Sequence, residues 1–519
     1  MVQTVRLRLK PEEFADRSVL ERRLASAVGQ RVNDWRIIRR SIDSRQRQPW
    51  MDVEVKVALG DDSRLVDEVP VPDFKFVGPE SPQVVIVGAG PAGLFAALRA
   101  LEHGWRPVVI ERGKKVEERL KDVVALQKDR VLNPDSNFCF GEGGAGAFSD
   151  GKLFTRSKKR GNVGDVLALL HQHGASEEIM YEAHPHIGSD RLPGVIRNIR
   201  ENIISHGGEV LFSTTFKRLL IEEGEAVGIV TADGRTFRGP VILATGHSAR
   251  DVYHSLDASG VRLEQKGFAM GVRLEHPQSL IDSIIYHNPK GRGDFLPPAE
   301  YKLKTQVDGR GVYSFCMCPG GVIVPSPSAE GESVVNGMSA SGRSGRWANS
   351  GMVVEIRPED FPEYLDKGNL GLLHFQEDTE KTFFDESRSI NAPAQRMKDF
   401  VEGKPSTDLP RTSYVPGIHP ADIGALLPPH VSVRLRKALE TFGKKYKGFL
   451  TNEATLIGLE SRTSSPVRIP RDPDTLCHPE IRNLYPVGEG AGYAGGIVSS
   501  AVDGRRAMDA IAENFNTQS

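Results

Sequence analysis

Two hydrophobic periods alternate along the chain and mark out its parts. At the start, Val5, Leu7 and Leu9 alternate with Arg6 and Arg8, the two-residue period of a half-buried strand. Pro11, Glu12 and Glu13 then open a helix expected to run to about Ala27, with Gly29 ending it. Two more strands are expected over residues 35–42 and 52–59, the second with Val53, Val55 and Val57 on one face. Residues 1–60 therefore read as a small α+β module. Residues 61–83 hold four prolines and no period, and read as a linker.

A different pattern starts at residue 84. Val84, Val85, Ile86 and Val87 form an apolar strand that enters Gly88-Ala89-Gly90-Pro91-Ala92-Gly93. A helix over 94–103 stops at Gly104, and a second strand over 107–110 ends at Glu111. Strand, tight turn, helix, strand and acid stand in the order a dinucleotide requires. Gly88 permits the turn, Gly90 lets the backbone approach a pyrophosphate, and Gly93 lets the helix pack on the sheet. The pyrophosphate then meets unpaired N–H groups at the helix start, beside Pro91 and Ala92. Glu111 follows Gly88 by 23 residues, where a carboxylate accepts from an adenosine ribose 2′-OH.

Three later segments repeat the theme of backbone pressed against a ligand. Residues 137–153 crowd glycines, Gly143 and Gly144 among them, beside Asp150 and Lys152. Short strands over 209–212, 218–222 and 227–231 lead through an apolar run to Ala244-Thr245-Gly246. Near the end, Gly488-Glu489-Gly490 and Gly496 precede a helix that begins at Ile497 and runs to about residue 512.

Charge alters this picture little. Lys plus Arg is 67 and Asp plus Glu is 68, so a dedicated polyanion-binding protein is not the main reading. Residues 1–59 carry a net +5, and Arg36, Arg39, Arg40, Arg45 and Arg47 leave one alternative: a module that docks RNA. The other reading of these arginines is a solvated or docking surface. Four cysteines, at 139, 316, 318 and 477, show no disulfide framework and no metal-ligand spacing, so no metal is expected. With neither an apolar targeting core nor an 18-residue apolar run, a cytoplasmic, non-membrane protein is expected.

The motifs GAGPAG (88–93), FGEGGAGAFSDGKL (140–153), HIGSDRL (186–192), CMCPGG (316–321), NGMSASGR (336–343), ESRTSSPVRI (460–469) and GEGAGYAGG (488–496) carry a resemblance. From about residue 84 onward the chain resembles the bacterial FAD-dependent dehydrogenases grouped as NAD(FAD)-utilizing. More widely, it resembles the glutathione-reductase-like and fumarate-reductase-like FAD proteins. The resemblance implies an α/β fold with a discontinuous Rossmann-like FAD-binding domain built from 84–155, 207–251 and 456–519. A mostly helical segment (156–206) and an inserted α+β substrate domain (252–455) complete it. It implies FAD, held by Gly88, Gly90, Pro91, Ala92, Gly93, Glu111, Gly143, Gly144, Asp150, Lys152, Ala244, Thr245, Gly246, Gly488, Glu489, Gly496 and Ile497. It further implies an oxidoreductase passing a hydride or electron pair between flavin N5 and a small substrate, with NADH or NADPH as a transient donor.

Five residues are candidates for chemistry. Cys316 and Cys318 would share one face of an extended segment, as a flavin-adjacent redox group or as small packing residues. Arg462 suits an anionic substrate or a reduced flavin, or else a structural ion pair, and Glu460 belongs to the same polar cluster. His186, with His184 and Asp190 nearby, suits a proton relay or an ordinary loop. A basic helix over 434–448 reads as a solvated face.

Overall fold

The structure, a computed structural model, describes residues 1–60, 64–65, 72–155 and 161–518. Positions 61–63 and 66–71 of the linker over 61–83, and positions 156–160 of the segment 156–206, lie outside the described residues. Residues 72–82 run along the body of the protein, where Lys75 N–H donates to Leu101 C=O at 3.2 Å and Val77 N–H to His206 C=O at 2.9 Å.

The strand Gln83–Val87 is the centre of a five-stranded, all-parallel sheet. In spatial order the strands are Leu484–Pro486, Val241–Leu243, Gln83–Val87, Arg106–Ile110 and Glu209–Leu211. Its apolar run needs no polar alternation because both faces are covered. Val84 and Ile86 point to one core with the helices Pro91–His103, Leu192–Ser205 and Ile497–Gln518. Val85 and Val87 point to a second core with the antiparallel strands Phe216–Glu222 and Glu225–Thr231 and the helix Arg250–Ala258. Helices Pro91–His103 and Ile497–Gln518 touch backbone to backbone, so a Cβ on Gly504 would lie 2.0 Å from Ala92 O.

A seven-stranded sheet forms the other body. Its order is Lys304–Val307, Arg310–Cys318, Trp347–Ile356, Phe268–Pro277, Thr455–Glu460, Ala392–Arg396 and Ile418–Pro420, antiparallel except for the last pair. The helix Pro429–Lys445 covers it with Val431, Leu435, Ala438, Leu439 and Phe442. The basic stretch near residue 440 is thus only the outer face of an amphipathic helix. Among the described residues, no helix is long and apolar enough to cross a membrane.

The N-terminal module is a three-stranded antiparallel sheet, with Trp50–Ala58 between Val2–Leu9 and Asp34–Asp43. The single helix expected after Pro11 is two, Pro11–Ala15 and Arg17–Val28. Asp16 divides them because its carboxylate accepts from Ser18 N–H at 2.9 Å and Val19 N–H at 3.3 Å, an N-cap. The edge strand docks on the larger body: Arg40 N–H donates to Tyr181 C=O at 2.8 Å, and Ala183 N–H donates to Arg40 C=O at 2.9 Å. Arg40 pairs with Glu182, Arg45 with Asp43 at 2.8 Å and Arg39 with Glu54 at 3.8 Å. Three of the five arginines that motivated RNA docking therefore face carboxylates.

Candidate functional site

A cavity opens at the C-terminal ends of the parallel strands, and segments far apart in sequence line it. Gly88, Gly90, Pro91, Ala92 and Glu111 come from the first βαβ unit, and Gly144, Asp150 and Lys152 from the glycine loop. Ala244, Thr245 and Gly246 follow the second central strand; Gly488, Glu489, Gly496 and Ile497 come from the last loop and helix. From the other body, Phe315, Cys316, Asn336, Arg462 and Thr463 reach the same space.

Close backbone approach explains the glycines. Gly88 is left-handed, φ +105°, and a Cβ there would lie 2.4 Å from Ala244 O. A Cβ on Gly144 would stand 3.2 Å from the Gly90 Cα, so two bare backbones face one another across the cavity floor. Gly93 and Gly143 do not line the cavity. A Cβ on Gly93 would meet Gly88 O at 1.9 Å, and one on Gly143 would meet Ile196 Cδ1 at 2.4 Å. They hold in place the turns that do line it. Gly90 caps the helix Pro91–His103 without any side chain to bond its first N–H groups, which leaves those donors for an anion.

Glu111 lines the cavity and also ties two of its loops together. Its carboxylate accepts from Ala89 N–H at 2.9 Å, Gly113 N–H at 2.9 Å and Gly141 N–H at 3.0 Å, which ties the first turn to the glycine loop. With about four lone-pair sites, an ionised carboxylate keeps capacity for one further donor. Arg119, fully buried, grips the same loop: it donates to the carbonyls of Asn137, Phe138, Gly141, Glu142 and Gly144 at 2.7–3.1 Å. Burial pulls its pKa down to about 10, so it stays charged at neutral pH.

Two charged clusters run from the cavity wall into the protein behind it. In the first, Asp150 bonds Lys152 at 2.8 Å and Arg343 at 2.5 Å. Burial opposes the Asp150 charge, but Lys152 and Arg343 outweigh it and lower its pKa to about 2. Lys152 Nζ lies 3.9 Å from Cys318 Sγ. Arg273, also buried, donates to Glu460 at 3.0 Å, to Asn349 Oδ1 at 2.9 Å, to Cys316 C=O at 2.7 Å and to Cys318 Sγ at 3.4 Å. Glu460 lies behind the cavity wall. Burial raises its pKa to about 7 against the pull of Arg273.

The second cluster holds Arg462. Its guanidinium reaches Glu332 at 2.6 Å and Glu380 at 2.9 Å, while Arg250 meets the same two carboxylates at 2.9 and 2.8 Å. Its remaining nitrogen points to Cys139 Sγ at 3.6 Å. Glu380 is fully buried, yet Arg250 and Arg462 overcome the burial penalty and lower its pKa to about 2. Arg462 is thus both a cavity-lining cation and a member of a buried ion cluster.

Two expectations change. Cys316 is left-handed, φ +45°, and the register against Trp347–Ile356 shifts between Phe315 and Cys318. A β-bulge therefore breaks the pleat that would have put both cysteines on one face. Cys316 lines the cavity and Cys318 lies buried behind it. His186 lines another cavity, between the N-terminal module and the segment around residues 285–302, and its Nε2–H donates to Ser341 C=O at 3.1 Å. Among the described residues, no group of three or more His, Cys, Asp or Glu side chains is placed to hold a metal ion.

Sequence reasoning passed over Arg119, Arg250, Arg273, Glu332 and Glu380. Only Arg273 carried a signal: it interrupts the apolar strand Phe268–Pro277, where a lone cation demands a buried partner.

Comparison with known proteins gives three family matches. A family described as FAD-dependent protein, C-terminal domain-like, matches residues 267–463. An FAD binding domain matches residues 83–120, and a domain of unknown function matches residues 1–58. An uncharacterized protein of Clostridium beijerinckii is 40% identical over 524 residues, covering 96% of this chain and 97% of its own. Among solved structures, CtdE in complex with FAD and a substrate is similar at 12% identity, over 84% of this chain and 86% of that one, with a TM-score of 0.35. A geranylgeranyl bacteriochlorophyll reductase-like protein from Thermoplasma acidophilum is similar at 13% identity, over 85% of this chain and 80% of that one, with a TM-score of 0.37.

Proposed function

This chain belongs to one family with the Clostridium beijerinckii protein, within the FAD-utilizing flavoenzymes, and we propose that it is an oxidoreductase passing a hydride or electron pair between FAD and a small substrate. One observation carries the reading. Residues 88–92, 144–152, 244–246 and 488–497, spread over about 400 positions of the chain, converge on a single cavity at the strand ends.

When bound, FAD supplies the electron chemistry itself. The chain's part is to bind, orient and set the charge around it. In this reading Gly90 and Gly144 make room for the diphosphate, and the uncapped first turn of Pro91–His103 donates to it. Glu111 accepts from an adenosine ribose hydroxyl through its remaining lone pair. Glu489 faces the ribityl side, as in the flavoenzymes the sequence resembles. Lys152 and Arg462 place two cations on the wall, each held by buried carboxylates, where they favour a reduced flavin or an anionic substrate. NADH or NADPH visits the same cleft as donor.

The test is spectroscopic. The purified protein, as isolated or after reconstitution, should release FAD on denaturation and show a flavin band that bleaches under anaerobic NADH or NADPH. A colourless protein that takes up no FAD overturns the reading.

A further inference from the structure

Two sulfurs meet at the wall between the cavity and the seven-stranded sheet. Cys316 faces the cavity, while Cys318 is 0% exposed directly behind it. The Cys318 thiol donates to the Cys316 carbonyl at 3.3 Å. Two cations converge on the pair, Arg273 at 3.4 Å and Lys152 at 3.9 Å from Cys318 Sγ. Neither cation is free to leave: Glu460 anchors Arg273 at 3.0 Å, and Asp150 anchors Lys152 at 2.8 Å.

The local backbone is shortened at the two cysteines. In a regular strand, residues two apart stand about 6.6–6.8 Å from Cα to Cα, the outer limit for a disulfide. Here Phe315 and Cys318 pair with Gly351 and Asn349, so three steps on one strand span two on its partner. The compressed strand and the left-handed Cys316 take that side chain off the regular pleat.

We propose that Cys316 and Cys318 form a redox-active dithiol that closes to an intrachain disulfide and thereby exchanges an electron pair with the flavin. This rests on the FAD reading above. Closure starts from the Cys316 thiolate and the Cys318 thiol. One S–S bond forms and the Cys318 S–H bond breaks. Two electrons and that one proton pass to an oxidised flavin, so atoms and charge balance. The hydrogen bond from Cys318 lowers the Cys316 pKa and Lys152 and Arg273 lower it further against burial, while the Cys318 thiol is pushed up by the same bond and by burial. The Cys318 S–H, which donates to the Cys316 carbonyl, is the bond that gives up its proton as the disulfide closes. Cys139 also lines the cavity, beside Arg462 and Ser326, but its hydrogen-bonding partners include no second sulfur.

Anaerobic reductive titration of the FAD-loaded protein tests the proposal, with iodoacetamide trapping and peptide mass mapping on the same samples. The oxidised wild type should take four electrons per FAD, and its 316–318 peptide should be unalkylated and two hydrogens lighter than the reduced form. Cys318→Ser and Cys316→Ser should bind as much FAD but take two electrons, halving the uptake. Wild type that takes two electrons with both cysteines alkylated in the oxidised state overturns the dithiol and leaves the flavin assignment standing. A protein that takes up no FAD overturns the function proposed above, a separate failure read from the absent flavin band.

Discussion

Glu460 offers a measurable sign as well as a magnitude. Its side chain is 1% exposed and accepts from Arg273 at 3.0 Å. Burial raises its pKa from 4.5 to about 7, with Arg273 pulling the other way. Between those values the folded protein holds a proton that the unfolded chain has lost. Stability from this group is therefore complete below pH 4.5 and is lost as pH rises through about 7. At about 1.4 kcal/mol per unit of pKa difference the whole effect is about 3 kcal/mol, and roughly 2–3 kcal/mol of it falls between about pH 5 and about pH 8. Glu460→Gln keeps the shape and has no proton to lose. Urea unfolding of wild type and variant, followed by circular dichroism across that range, should show the variant gaining on wild type by roughly 2–3 kcal/mol as pH rises. A difference that stays constant, or moves the other way, refutes the argument.

Two further outcomes follow from packing and docking. Gly504→Ala puts a Cβ 2.0 Å from Ala92 O, so the two helices must separate. A loss of about 1–3 kcal/mol and weaker FAD retention after dialysis are expected, and unchanged melting and flavin content would count against the close contact. Arg40→Ala removes the Glu182 pair and the contacts of its guanidinium with Phe14 and Tyr181. Hydrogen exchange at the Arg40 and Ala183 amides should quicken by about 5–30-fold, the equivalent of about 1–2 kcal/mol in local opening, while amides of the five-stranded sheet keep their protection.

How much could be seen in advance depended on sequence separation. The unit from Gln83 to Glu111 was legible because strand, turn, helix and acid interact within 30 residues, and each glycine has a local steric reason. The later cavity loops were legible too, since glycine-rich turns after apolar strands advertise close approach. The ion clusters were not. Arg273 and Glu460 are 187 positions apart, Arg462 and Glu332 130, and no period links such partners. Arg119 sits on an otherwise ordinary helix, Val116–Lys128, whose pattern does not say that one cation faces inward. The bulge at Cys316 was invisible for a related reason: it shows only in the register against a strand more than 30 positions away. The helix break at Asp16 was readable, because Asp two or three residues before free amides is a capping signal, but the apolar period on either side masked it.

The grip of Arg119 has one more effect. A trans peptide is planar, so its carbonyl and its amide hydrogen point in opposite directions. Each carbonyl drawn inward to the guanidinium turns the following N–H outward. The Gly144 carbonyl is drawn inward in this way, and the next residue, Ala145, stands on the cavity. A buried cation thereby turns the Ala145 N–H away from itself, at a residue that lines the cavity in which the proposed function puts FAD. The positive charge of Arg119 itself stays out of solvent.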